Sequence, residues 1–271
     1  MKWLCLAAIL FTFSPILSAQ EEDSAIKTKE DSTVFRWGNS KIIVINSSDE
    51  SKDVKWESNK KSERWNHFAG IDFGINGFLS PANSVSLQKE GEFMDLNYIK
   101  SIAIGINFLE FYIPIAKEKF GVLTGLGITF NNYDLARDYT IFSNGDTTMG
   151  LADPTKNIKK NKFKSTTINL PILLETNIGK GAKKSFHLAA GGMASYVLGA
   201  KTKQKYKINN QEFKEKQRTN FNMNPLRLSA HLRIGYGSFT LFADYSLTPF
   251  FDKKDGPELY PFTVGVSLVT F

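Results

Sequence analysis

The side chains best suited to chemistry lie along one short stretch of the chain. Arg227, Ser229, His231 and Arg233 alternate with Leu226, Leu228, Leu232 and Ile234. In an extended strand the polar residues therefore share one face and the aliphatic residues the other. Folding back through a turn at 237–238 sets His231 opposite Asp244 and Arg233 near Phe242. A second turn, at 179–184, brings His187 near Glu175, and Asp72 points the same way from an earlier alternating segment. Two chemistries fit this set. In the first, a histidine beside a carboxylate acts as a general base for a Ser229 nucleophile. In the second, Asp72, Glu175, His187, Arg227, His231, Arg233 and Asp244 form a buried ion-pair network that fills a narrow interior. The spacing Ser229-x-His231 reports only a shared face. The network is therefore the preferred reading, no catalytic residue is assigned, and the chain is not expected to be an enzyme.

A second set of residues is cationic. Lys201, Lys203, Lys205, Lys207, Lys214, Lys216 and Arg218 crowd one segment, with Tyr206 and Phe213 among them, and Lys156–Lys164 is similarly basic. These two segments concentrate a net charge of +7. They read either as solvated loops or, for 201–223, as a patch for lipopolysaccharide or another acidic surface ligand. No phosphate-binding, dinucleotide, zinc or EF-hand spacing is present. The three histidines are far apart and the single cysteine is Cys5, so neither a cofactor nor a metal is expected.

The elements that would position these residues are strands. From Trp65 onward the chain alternates with a period of two, around 69–76, 102–108, 120–131, 167–175, 185–200, 226–234, 239–247 and 262–268. Eight such segments, each near the ~10 residues that a tilted strand needs to cross a bilayer, predict an all-β, eight-stranded antiparallel transmembrane barrel. Pro171 interrupts the fourth, where proline removes a ladder hydrogen bond and normally avoids central strands.

Alternation alone also fits a soluble barrel; the chemistry of the faces decides. A water-facing wall would carry lysine and glutamate. Here the polar faces hold Gly, Ala, Ser, Thr and Asn, and lysines gather in the connections. Small neutral side chains suit a crowded lumen, leaving the aliphatic face for lipid. Connections also alternate in length. Residues 80–100, 134–164, 201–223 and 249–259 are long or medium, whereas 113–119, 179–184 and 237–238 are short. Short turns on the periplasmic side and long loops outside fix the expected orientation. Aromatic residues gather at both predicted strand ends. Trp65, Phe68, Phe111, Tyr112, Phe120, Phe186, Tyr236, Phe239 and Phe271 fall at the periplasmic end, and Phe130, Tyr133, Phe163, Phe221, Phe250 and Tyr260 at the outer end. They are candidate interfacial girdles.

The N-terminus reads as a secretory leader over residues 1–19: Lys2, an apolar run from Trp3 to Phe13, and a small-residue stretch ending at Ala19. Residues 20–64 read as a polar, mostly flexible periplasmic extension with one β-like run, Lys41–Ile45, and residues 65–271 as the barrel domain. Export makes nucleic acid an improbable partner. The expected partners are outer-membrane lipid, with lipopolysaccharide as a candidate ligand, and the barrel-assembly machinery during biogenesis.

Several stretches carry a family resemblance: His67-Phe-Ala-Gly-Ile-Asp-Phe-Gly-Ile-Asn-Gly-Phe78, Gly121-Val-Leu-Thr-Gly-Leu-Gly127, Asn131-Asn-Tyr133, Leu170-Pro-Ile-Leu-Leu-Glu175, Asn224-Pro225, Arg233-Ile-Gly-Tyr236 and Gly256-Pro-Glu-Leu-Tyr-Pro261. Over roughly the last three-quarters of its length the chain resembles the PorT-like outer-membrane β-barrel family of the Bacteroidetes. The resemblance implies the fold and the outer-membrane address, and it implies that Pro171 is tolerated within its strand, at a bulge. It implies no activity, because the family has no shared catalytic motif to transfer. Three roles stay open: a structural or binding barrel acting through its external loops, an envelope-lipid enzyme akin to lipid A hydrolases, and a narrow pore.

Overall fold

The computed structural model describes residues 31–37, 40–46, 52–58, 67–87, 89–116, 119–179 and 185–270. The chain divides into two units, 1–61 and 62–271. In the first, strands β1 (Asp31–Trp37), β2 (Ser40–Asn46) and β3 (Lys52–Ser58) form an antiparallel meander in the order β1-β2-β3. The Lys41–Ile45 run is its central strand, pairing Phe35 with Ile42 on one side and Val44 with Val54 on the other. The sequence alone leads to the expectation of one strand in a largely flexible segment. The flanking strands escape it because their charged and polar residues hide the apolar positions. The expected leader, with Cys5, lies outside the described residues.

In the second unit eight antiparallel strands close a ring: β4 (Gly70–Leu79), β5 (Ile102–Ala116), β6 (Phe120–Asp134), β9 (Asn157–Gly179), β10 (Ser185–Ile208), β12 (Leu226–Tyr236), β13 (Phe239–Ser246) and β14 (Tyr260–Thr270). Closure comes from β14 pairing back onto β4, with Val264 opposite Ile75 and Gly265 opposite Gly74. The remaining strands lie in the long connections. A small hairpin is formed by β7 (Tyr139–Ser143) and β8 (Thr148–Ala152), and β11 (Gln211–Arg218) pairs with the far end of β10.

The wall is inside-out relative to a soluble protein. Along β12, Leu226, Leu228, Leu232 and Ile234 are 38–52 % exposed, while Arg227, Ser229, His231 and Arg233 are at most 8 % exposed. Charged groups are normally outside and large aliphatic groups inside; the reversed pattern places the apolar solvent outside the ring. Among the described residues no helix is long and apolar enough to cross a membrane. The outward aliphatic belt of the strands is what provides the span.

Turn chemistry sets the two ends apart. At one end β12 and β13 meet through a two-residue turn whose Gly237 has φ 59°, the left-handed conformation that such hairpins require. The other end, called the upper end here, carries the long connections. Its β10–β11 hairpin turns through Asn209 and Asn210, both at positive φ.

Two expectations are corrected. The basic segments 157–164 and 201–208 are not loops but the upper halves of β9 and β10, which run 23 and 24 residues. That is twice what a bilayer crossing needs, so these strands project beyond it. Pro171 sits at a gap rather than a bulge. The β6–β9 ladder skips from Thr124–Ile172 to Gly127–Asn169 without a register shift, and the Thr124 hydroxyl donates to the Pro171 carbonyl at 2.7 Å.

Candidate functional site

The lumen is built in three levels. At mid-height Arg233 reaches across the ring from β12 to Asp72 on β4. The guanidinium makes a two-pronged contact, Nη1 to Oδ2 at 3.0 Å and Nη2 to Oδ1 at 3.1 Å. Its Nε donates to the His67 carbonyl at 2.9 Å, and Asn107 adds a hydrogen bond to Asp72 at 2.7 Å. The guanidinium also lies between the rings of Phe68 and Phe242, 5.4 and 5.7 Å from their centroids. Planar geometry, paired hydrogen bonds and aromatic faces are what make arginine tolerable in a dry interior.

Toward the short-turn end, His67 stacks on His187 with ring centroids 3.8 Å apart. Its Nδ1 is 3.0 Å from Glu175, which also accepts from Asn177 at 2.7 Å, and His187 Nε2 meets the Thr240 hydroxyl at 2.8 Å. The register sets His187 opposite Asn177 and Glu175 opposite Ala189. The carboxylate expected beside His187 is thus one pair off, on the diagonal, and it lies within hydrogen-bond distance of His67. Gly235 is required here, because a Cβ would collide with the Phe239 carbonyl and the His187 ring. The segment 67–69 turns into the ring: the amides of Phe68 and Ala69 both donate to Glu110, at 2.7 and 2.9 Å. Phe68 then packs with Leu123, Leu173 and Ala189 to close this end.

The Ser229 set lies on the other side of Arg233. The register sets His231 opposite Asp244. Ser229 Oγ donates to Asp244 Oδ2 at 2.7 Å, and His231 Nδ1 is 3.2 Å from the same oxygen. The carboxylate therefore stands between serine and histidine. A serine nucleophile needs the histidine in that middle place. Arg227 lies beside the Tyr133 hydroxyl on the same side of the lumen. The space among these groups is about 70 Å³, room for a handful of waters and far below the several hundred Å³ of an ordinary ligand pocket.

The upper level is apolar. Phe78, Tyr133, Phe163, Phe221, Phe250 and Phe251 are almost fully buried and pack with Phe93, Met94, Leu96, Met223 and Leu259. Ring contacts run through the cluster: Phe78 stacks on Tyr133 at 4.8 Å, and Phe163 meets Phe221 edge-on at 5.2 Å. Tyr133, Phe163, Phe221 and Phe250 were expected in an interfacial girdle. They point inward instead, because they occupy inward strand positions or loops folded over the mouth. Phe130, by contrast, is outward and exposed, as are Phe111, Phe120, Phe186, Tyr236 and Phe239 at the other end. Trp65 and Phe271 lie outside the described residues. The β7–β8 hairpin lies against this cap, held by Asn161 and Gln204 donating to the Tyr139 carbonyl at 2.7 and 3.2 Å.

Sequence reasoning missed His67, Asn107 and Glu110, and it placed Phe68 in the periplasmic girdle, whereas that ring is buried inside the lumen. His67 precedes the first alternating segment. Glu110 is turned inward by a bulge between Asn107 and Leu109, which a strict period of two cannot register. The lysines of 201–218 do not meet the lumen network; Lys201, Lys203 and Lys205 point outward from the extended wall. Among the described residues no group of three or more His, Cys, Asp or Glu could hold a metal.

No curated protein matches the chain. Among solved structures it is similar to the crystal structure of Ail, the attachment invasion locus protein of Yersinia pestis, at 12 % identity, over 73 % of this chain and 97 % of that one, with a TM-score of 0.29. The model of the outer membrane protein beta-barrel domain matches residues 56–252, from the end of β3 to just past β13. The inside-out ring of eight strands and this match over most of its length make the chain a member of the outer membrane protein beta-barrel domain family.

Proposed function

We propose that this outer-membrane barrel neither conducts nor catalyses, and that it works by binding through the folded head at its upper end. With long connections outside and short turns in the periplasm, that head is the extracellular part. The aromatic cap carries this reading: residues from six separate stretches of chain bury a continuous apolar layer across the mouth. A layer of that kind excludes water and ions. The Arg233–Asp72 pair and the Phe68 plug obstruct the path below it. The order serine–carboxylate–histidine and the small lumen space speak against the lipid-hydrolase reading. The motifs shared with the PorT-like group support placing the chain there, and Lys2–Ala19 is the leader that would export it, with outer-membrane lipid and the barrel-assembly machinery as its partners on the way.

The test is electrical and chemical. Purified protein in a planar bilayer is expected to give no discrete channel steps, and deleting it is expected to leave the mass spectrum of lipid A unchanged. Regular single-channel openings would revive the pore. A lipid A species lost on deletion, and restored by the native chain but not by a Ser229→Ala variant, would revive the enzyme.

A further inference from the structure

The upper halves of β9 and β10, with β11, hold nine cations in register. Across β9 and β10 the opposed pairs are Lys160–Lys205, Lys162–Lys203 and Lys164–Lys201. Across β10 and β11 they are Lys205–Lys214, Lys203–Lys216 and Lys201–Arg218. Opposed residues in an antiparallel pair share a face, as do residues two apart along a strand. The nine thus form a grid of three rows across three strands. Asn161, Phe163 and Ser165, which alternate with the β9 lysines, are buried, as is Gln204 between Lys203 and Lys205. The grid therefore faces outward, on the same side of the wall as the exposed Leu170, Tyr196 and Leu198 of the apolar belt.

Like charges directly opposed in a sheet are destabilising. Among the described residues only two of the nine have an acidic partner, Lys162 with Asp134 at 3.0 Å and Lys205 with Glu212 at 3.5 Å. Repulsion from Lys216, then partial burial, then Lys160, Lys205 and Lys214 hold the Lys203 ammonium below the ordinary lysine range. The row nearest the belt is also shaped. Lys164, Lys201 and Arg218 rim a surface groove whose apolar wall is Val197, Leu198 and Pro225, at the bulge between Val197 and Gly199. Cations above an apolar wall match a phosphorylated headgroup above its acyl chains. Arginine and lysine suit phosphate oxygens, and continuity with the belt favours a ligand already in the bilayer over a dissolved polyanion.

We propose that this grid binds the phosphate-bearing headgroup of the surrounding outer-leaflet glycolipid, with Lys164, Lys201 and Arg218 seating a phosphate and the groove receiving the start of an acyl chain. It rests on the upper end being the extracellular one and is independent of whether the lumen is sealed.

The test uses the full protein in phosphatidylcholine nanodiscs doped with bis-phosphorylated lipid A, or with the same lipid dephosphorylated, and native mass spectrometry to count retained lipid. The native chain is expected to prefer the phosphorylated form on the order of 10- to 100-fold, and added inorganic phosphate is not expected to displace it. A Lys164→Gln/Lys201→Gln/Arg218→Gln variant that still migrates as a heat-modifiable barrel is expected to lose the preference. A Lys89→Gln/Lys253→Gln/Lys254→Gln variant, with the same charge removed from the head, is expected to keep it. Equal retention of the two lipids by the native chain would overturn the proposal even if the variant failed to assemble. So would displacement by inorganic phosphate, an unchanged preference in the first variant, or an equal loss in the second. None of these readouts responds to conductance, so a leaky lumen and an empty grid are separately visible.

Discussion

The two halves of β9 obey opposite rules. In the lower half the outward positions are Ile168, Leu170, Ile172 and Leu174 and the inward ones Thr167, Asn169 and Glu175; in the upper half the outward positions are Lys160, Lys162 and Lys164 while Phe163 points inward. The physical reason is the solvent outside the wall. Where lipid is outside, moving an aliphatic side chain into the lumen gains little, because lipid tails are already apolar. The interior there is held by paired polar groups such as Arg233 and Asp72. Where water is outside, apolar burial regains its driving force, and the lumen fills with Phe163, Phe221 and Phe250. The exchange between Ile168 and Lys164 marks the upper membrane boundary on this strand.

Mutations can break this contrast. The largest effect is expected from Arg233→Met, which strands Asp72 without its partner. It should cost about 3–5 kcal/mol, and Asp72→Asn added to it should recover most of that; urea midpoints in lipid vesicles measure both. Next, Phe163→Ala in the cap should cost about 3–4 kcal/mol by opening a cavity in a packed core, with a midpoint shift on the same scale. A lysine scan down the outer face of β9 should then map the boundary: Thr166→Lys about 0–1 kcal/mol and Leu170→Lys rising toward about 2–4 kcal/mol, read by the same unfolding series. Ser229→Ala should cost about 1 kcal/mol, the scale of one hydrogen bond.

The smallest effect concerns pH. Lys203 has a folded-state pKa below the ordinary lysine value of 10.5, so the unfolded chain binds its proton more readily in the window between the two. Stability is therefore expected to rise slightly as pH increases through that window and to stay lower beneath it. Thermal unfolding followed by near-ultraviolet circular dichroism would show it, and Lys203→Gln should remove that residue's part of the dependence.

Much of this was readable from residues alone, because a barrel wall with unlike faces writes a period of two into every strand. Leu226–Ile234 carries that pattern without a break, and the turn at 237–238 set the partners of His231 and Arg233. What escaped has identifiable causes. The bulge between Asn107 and Leu109 sends Phe108 and Leu109 both outward and rotates Glu110 into the lumen; nothing in composition announces it. The lysines of 157–164 and 201–208 looked like loop because a strand beyond the bilayer has its polar face outward, the reverse of the pattern lower down. Phe163 could have been placed. It shares the inward parity of Ser165 and Thr167, although an aromatic residue near a strand end also fits an interfacial girdle. His67 gave no such signal, lying before the first alternating segment.

The polarity exchange along β9 is open to one direct measurement. Nitroxide labels placed singly at outward positions from 160 to 174, in protein reconstituted into bilayers, report access to oxygen, which concentrates in lipid, and to a water-soluble nickel complex. High oxygen access at 168, 170, 172 and 174, with high nickel access at 160, 162 and 164 and a crossover between them, is the expected result. Uniform nickel access along the whole face would mean that water, not lipid, surrounds the wall, and would contradict the account.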